Sequence, residues 1–409
     1  MRKQRKNLLV LGASGSVARA FLRFLSGWRS EFRNLVLLDK NRRVLEDPFL
    51  DRKRLAYRFV RRHLDLPRDG NAFHRLLRKY RIDVIVDVTT HATMPMLAAA
   101  DAAGVSYLNT SLNDEALGVT ELVERLFPQP PRATRVPHIL CSGMNPGAVN
   151  LWIRHGIERF GRPREITHFE YDTSVAAEGW RPLVTWSKHE FLTEIARNPT
   201  GLFDGRVTTL APDNALRHLV DLKPLLAPVL KLDEYPKGFL VLHEENLTMG
   251  RALGIPSKFL YAIHPRTMRF LVERFRRTGR ILEGDLELGD NLSIPLAGSD
   301  TVGVCLEYPR RRVYYMNRVD NTTIVGTNAT CLQVATGIYA ALFTLLLDRL
   351  PNRILSVGDL YESLYKNVLF NNMRVEEIVC GRRDGRWEVR SRVPFVRIRA
   401  LDAHDRLVV

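Results

Sequence analysis

Cysteine is scarce. The chain of 409 residues has four, Cys141, Cys305, Cys331 and Cys380, with no C-x-x-C pair and no tight cluster. That excludes a disulfide framework and a zinc site, and reduced thiols in a cytoplasmic protein are the expectation, with no metal. No stretch reads as the ~20 apolar residues needed to cross a bilayer. The charged N-terminus runs directly into a strand-like apolar segment, so neither a signal peptide nor a membrane partner is expected. Internal repeats and low-complexity linkers are missing. Acidic residues are the minority, 45 against 61 Lys+Arg, for a net charge of +16. Such a balance points to anionic partners. Here, however, the basic residues are scattered. Their densest clusters, Arg2 to Lys6, Arg58 to Arg62, Arg274 to Arg280 and Arg310 to Arg312, lack the aromatic interleaving of a stacking platform, so no nucleic-acid partner is expected.

With 45% hydrophobic and 26% charged residues the composition is globular. The length suggests two domains. Apolar runs at Leu8 to Leu11, Leu35 to Leu38, Val84 to Val88, Val105 to Leu108 and His138 to Cys141 alternate with helical patterns. This is the signature of an α/β fold, an N-terminal Rossmann-type parallel sheet covered on both faces, over residues 1–150. Residues 151–409 change texture and read as an α+β substrate domain. Its apolar helices at about 332–369 are candidates to pack back on the first domain.

Gly12, Gly15 and Ala18 are spaced G-x-x-G-x-x-A between a strand and a helix. Glycine permits a tight turn and close backbone approach to a pyrophosphate, and the helix start offers free N–H groups. Gly12, Ser14, Gly15, Ser16 and Val17 are therefore candidate cofactor residues. Asp39 closes the next strand, where a carboxylate accepts hydrogen bonds from a ribose diol and repels a 2′-phosphate. NAD is thus the expected cofactor, although Lys40, Arg42 and Arg43 stand nearby. Thr89, Thr90, Thr110 and Ser111 end later strands, at the edge where open α/β sheets bind ligands. Each is equally suited to capping a helix.

Gly143-Met144-Asn145-Pro146-Gly147 ends a strand and opens a helix. Downstream come Glu170-Tyr171-Asp172-Thr173, Thr185-Trp186-Ser187 with Glu194 eight residues past Trp186, His243-Glu244-Glu245 after an apolar strand, Tyr261-Ala262-Ile263-His264-Pro265, Gly298-Ser299-Asp300, and Asn328-Ala329-Thr330-Cys331-Leu332-Gln333-Val334. This collinear set resembles the bacterial homospermidine synthases of the saccharopine dehydrogenase-like family, from about residue 7 to 350. The chain departs from that pattern in its glycine spacing, in Asn113 where an acidic residue is usual, and in Arg181. The resemblance implies a redox-neutral, NAD-dependent aminobutyl transfer. Putrescine is oxidised to an imine, a second diamine displaces ammonia, and the Schiff base is reduced to homospermidine. It also implies a homodimer. Asn145, Glu170, Trp186, Glu194, His243, Glu245 and Asp300 match the family's polyamine-site positions, and Asn145 with Pro146 would also meet the cofactor.

The residue chemistry agrees. A diamine's reacting ammonium must lose a proton before it yields a hydride, and its distal ammonium needs a carboxylate or an aromatic face. Glu170, Glu194, Glu245 and Asp300 supply carboxylates, and Trp186 a cation–π face. His243 reads as a proton shuttle, since imidazole titrates near neutrality. Glu245, two residues on in a strand, would share its face. Against this, the net charge of +16 opposes a cationic substrate, a field screened over about 8 Å. Two other readings stay open. One is a saccharopine dehydrogenase-like oxidoreductase whose Arg181 grips a carboxylated amine or imine. The other is a non-catalytic dinucleotide-binding protein.

Overall fold

The computed structural model describes residues 5–26, 32–50, 55–66, 68–211, 213–291 and 293–394. Residues 2–4 of the first basic cluster lie outside them. The described chain divides into two compact units, one of residues up to 151 with 334–372, the other of residues 152–333 with those from 373 onward. Two of the divisions fall inside the helices Ala148–Phe160 and Ala329–Leu347, and another follows the helix Leu364–Asn372.

The first unit is built on a parallel sheet. Its strands are β1 (Lys6–Leu11), β2 (Phe32–Asp39), β3 (Arg58–Arg61), β4 (Val84–Asp87), β5 (Ser106–Asn109), β6 (His138–Ile139) and a late strand, Ile354–Leu355. They lie in the order Ile354–Leu355, β6, β5, β4, β1, β2, β3, all pairs parallel. The order reverses at β1 and β4, the crevice where open α/β sheets take ligands. Leu8, Leu9, Val10 and Leu11 are fully buried, as expected of a central strand covered on both faces.

The second unit carries a ten-stranded sheet. At its centre β7 (Glu165–Asp172) lies parallel to Ser257–Ile263 on one side and antiparallel to Ser299–Glu307 on the other. Alternation sorts the side chains cleanly. Phe169, Tyr171, Leu240, Leu260, Ala262, Cys305 and Tyr314 form one apolar layer. His168, Glu170 and Asp172 point the other way, toward the side where Phe239, Val241, Phe259, Tyr261 and Ile263 pack.

The helix Ala329–Leu347 corrects one expectation. By length and composition it can cross a membrane, yet 72% of its most apolar window is buried in the fold. A core helix passes the same test. The four cysteines are free and buried.

Candidate active site

In the first unit Gly12 follows β1 with φ of 74°, and a Cβ there would stand 2.9 Å from both Val88 O and Thr89 Cγ2. Only glycine fits this turn. Gly15 is the N-cap of helix α1 (Ser16–Leu25), and no side chain caps it. Ser16 and Val17 open the helix, at the end where first-turn backbone N–H groups point outward. A glycine cradle beneath an uncapped helix start fits a dinucleotide pyrophosphate.

Several of the expected cofactor residues also bond within the protein. The Asp39 carboxylate is buried and accepts Ser14 N–H and Asn41 N–H, each at 2.9 Å. Ser14 is itself buried. Its hydroxyl donates to Asn41 O at 3.3 Å and accepts Val44 N–H at 3.2 Å. Asp39 therefore ties the glycine loop to β2, and one lone pair on each oxygen is left for a ribose hydroxyl. The Thr89 hydroxyl donates to Asp87 at 2.6 Å, and Asp87 also receives the Tyr107 hydroxyl at 2.8 Å. Thr89 shapes the turn under Gly12, and its methyl group faces the glycine. Thr90 is exposed and Thr110 half-buried, each just past its strand end. Ser111 accepts from the Asn109 and Asn113 amides at 2.7 and 3.2 Å. Asn145 and Pro146 lie in a turn where Gly143 N–H meets Pro146 O at 3.0 Å. A Cβ on Gly147 would approach Gly143 within 2.5 Å, and one on Gly337 within 2.1 Å. This explains the glycines of the G-x-N-P-G motif.

The second unit gathers the other candidates on one sheet face. Glu170 pairs in register with Tyr261 and Val302, and Asp172 with Ile263 and Asp300. Paired residues share a face, so Glu170, Asp172, Asp300 and Tyr261 converge. All four are buried. Trp186 Nε1–H donates to the Tyr261 hydroxyl at 3.1 Å. Asp172 accepts Ser174 N–H at 2.8 Å and the Thr185 hydroxyl at 2.6 Å, and Asp300 Oδ2 lies 2.8 Å from the Thr330 hydroxyl oxygen. Among the described residues no Lys or Arg pairs with Asp172 or Asp300. Burial, followed by the charges of Glu170 and Asp172, pushes the Asp300 carboxyl well above its ordinary range. Burial also raises Asp172, against the hydrogen bonds of Ser174 and Thr185. Burial and the Glu170 and Asp172 charges raise the Tyr261 phenol in turn.

A second group adjoins it. His243 Nε2 lies 3.0 Å from Glu194 Oε1, and its Nδ1 lies 3.5 Å from Glu245 Oε1. Its ring packs against Phe259 at 4.4 Å. Burial alone would pull this imidazole down, but Glu194 and then Glu245 outweigh it and raise it to about 10. The two carboxylates favour the imidazolium, the state that holds a proton, over the proton shuttle expected of His243. Glu245 is held low by His243, despite its burial. Nor is Glu245 in a strand. The strand Lys237–Val241 ends before His243, and Glu245 caps the helical turn Asn246–Arg251. His168, two residues before Glu170, is fully buried with both ring nitrogens unpartnered in the protein, and burial lowers it to about 4.

Sequence reasoning passed over Asp172, Tyr261, Thr185, Thr330 and His168 as site residues. A two-residue step from Glu170 along a strand was the available signal for Asp172 and His168. Arg181 is exposed and pairs with Glu287 at 3.2 Å.

The first unit's sheet, glycine cradle and β2 carboxylate define a dinucleotide-binding domain. Residues 8–134 match the family model described as the saccharopine dehydrogenase NADP binding domain. The homospermidine synthase of Legionella pneumophila, solved in complex with NAD, superposes with a TM-score of 0.69 at 14% identity, covering 90% of this chain and 89% of that one. At that identity the likeness speaks for the fold. A myo-inositol dehydrogenase from Lactobacillus casei, solved with NAD(H) and myo-inositol, gives a TM-score of 0.34 at 12% identity over 64% of this chain and 69% of that one. No curated protein sequence matches the chain. The domain match and the shared fold support a dinucleotide-dependent, oxidoreductase-like protein that binds NAD.

Proposed function

We propose that the chain is a homospermidine synthase-like enzyme that transforms a diamine with NAD. The observation that carries this reading is the buried acidic face of Glu170, Asp172 and Asp300 beside Trp186 and Tyr261, with no Lys or Arg paired to Asp172 or Asp300 among the described residues. Buried carboxylates crowded together are costly until a cation joins them. An alkyl ammonium meets that demand, and a carboxylated substrate would worsen it.

NAD, when bound, supplies a hydride acceptor and returns the hydride. The chain's own residues do the rest. The Gly12–Val17 turn and Asp39 hold the dinucleotide. Carboxylates on the acidic face grip an ammonium, and the Trp186 indole offers a cation–π contact worth about 0.5–2 kcal/mol. His243, fixed as a cation, orders Glu194 and Glu245 and leaves their pair with a net negative charge for a distal amine. The saccharopine dehydrogenase-like alternative loses its proposed carboxylate grip, because Arg181 is engaged by Glu287 at the surface.

The test is incubation with NAD and putrescine, with product masses read out. Homospermidine and ammonia without net NADH support the transfer, and net NADH indicates a simple dehydrogenase. No turnover of any diamine rejects the reading. Trp186→Ala should cripple turnover while leaving NAD affinity nearly intact. Full activity in that variant removes Trp186 from the site.

A further inference from the structure

We propose that Asp172, Thr185, Thr330 and Asp300 form a hydroxyl-bridged carboxyl pair that stores one proton and receives the proton an amine loses on this face. The acceptor role rests on the amine reading above, whereas the stored proton does not.

Counting hydrogens carries the inference. The four side chains form an unbroken row of oxygens. Asp172 Oδ2 to Thr185 Oγ1 is 2.6 Å, Thr185 Oγ1 to Thr330 Oγ1 is 2.9 Å, and Thr330 Oγ1 to Asp300 Oδ2 is 2.8 Å. Each contact is of hydrogen-bond length and needs one hydrogen between its oxygens. A threonine hydroxyl brings one hydrogen, and an ionised carboxylate brings none. Three contacts therefore share two hydroxyl hydrogens, and the third must sit on a carboxyl group. All four residues are buried, so no solvent-facing rotamer relieves the shortage.

The surroundings decide where that proton rests. Asp172 accepts Ser174 N–H at 2.8 Å, which favours its ionised form. Asp300 is fully buried, its Oδ1 has no partner in the protein, and Glu170 and Asp172 both press on it electrostatically. The other groups facing it are the Tyr261 phenol, the Gln333 amide, whose nitrogen reaches Asp300 Oδ2 at 2.9 Å when turned toward it, and the backbone N–H of Thr301, none of them cationic. The resting arrangement is thus Asp300 O–H to Thr330, Thr330 O–H to Thr185, and Thr185 O–H to Asp172. Reversing all three bonds moves the proton to Asp172 without moving a heavy atom.

This arrangement supplies the acceptor that His243 cannot. When a bound ammonium releases its proton, the N–H bond breaks and an O–H bond forms at the free Asp300 Oδ1. The stored proton passes along the two hydroxyls to Asp172, and both carboxyls end neutral. The electron pair stays on the amine nitrogen. Running the row backwards returns the proton when the product amine is recharged.

Infrared difference spectroscopy tests the store without any turnover. At neutral pH the protein should show the C=O stretch of a buried protonated carboxyl. Asp300→Asn should abolish it and Thr330→Val should shift it. Absence of such a band in the folded wild type overturns the proposal. For the acceptor role, Thr330→Val should bind putrescine within a few-fold of wild type but lose about a hundredfold in kcat, with a changed pH profile, and Thr330→Ser should restore both. A Thr330→Val enzyme with the wild-type profile overturns that role. A band present in a wild type that turns over no diamine supports the store and removes the amine reading, and the acceptor role with it.

Discussion

The charge state of His243 offers a sharp measurement. Its imidazole is held at about 10 by Glu194 at 3.0 Å and Glu245 at 3.5 Å. In the unfolded chain an imidazole titrates at about 6.5. Between those values the folded protein carries one more proton than the unfolded one. Stability from this group is complete below pH ~6.5 and is lost as pH rises through ~10, at about 1.4 kcal/mol per pH unit. The whole window amounts to about 5 kcal/mol, of which about 2 kcal/mol falls between pH ~7 and ~8.5, below the ordinary range of tyrosine and lysine. Nitrogen-15 NMR of the folded protein reads the group directly. His243 should show both ring nitrogens protonated and no inflection from pH 6 to 8.5. Denaturant titration gives the energetic counterpart. Wild type should lose stability over that range relative to His243→Gln, which should itself be weaker by about 3–5 kcal/mol at neutral pH because it leaves buried carboxylates without their cation. An inflection near ~6.5, or parallel stability profiles in the two proteins, would refute the reasoning.

Gly12→Ala should weaken NAD binding at least tenfold by calorimetry, because its methyl group would collide with Val88 O and Thr89 Cγ2 at 2.9 Å; unchanged affinity would remove the glycine cradle. Arg181→Ala should leave diamine turnover intact and alter stability by no more than about 1 kcal/mol, as its ion pair with Glu287 is exposed. A large rise in KM would revive the carboxylate-gripping reading. His168, lowered to about 4 by burial, should make the protein acid-sensitive. Its penalty is absent above pH ~6.5 and grows to about 3 kcal/mol as pH falls toward ~4, because the unfolded chain binds the extra proton. His168→Phe should flatten that acid limb in a melting series, and an unchanged limb would assign it to other groups.

The central strands of the first unit were legible because burial on both faces demands unbroken apolar runs, as in Leu8 to Leu11. β3 was not. Its sequence, Arg-Phe-Val-Arg, is exposed or half-buried throughout and reads only as a basic cluster. The hairpin of Glu376–Arg383 and Arg386–Pro394 escaped notice for the same reason, its second strand being almost wholly exposed. In the second unit the motifs pointed to Glu170, Trp186, His243 and Asp300, and residue type suggested a role for each, but not the neighbours that would bias it. Whether an imidazole shuttles a proton or holds one depends on two carboxylates brought from Glu194 and Glu245. Thr185 and Thr330 carry no signal in isolation, since threonine caps helices and lines turns everywhere. Only folding places their hydroxyls 2.9 Å apart.

Along β7 the ionisable side chains His168, Glu170 and Asp172 share one face, while Phe169 and Tyr171 belong to the apolar layer behind it. Loss or gain of a single codon within this stretch would turn the strand over. Aromatic rings would then take the polar face, and three ionisable groups would be driven into the apolar layer. Point substitutions can erode this enzyme gradually, but a one-residue slip here would take both catalysis and folding in a single event.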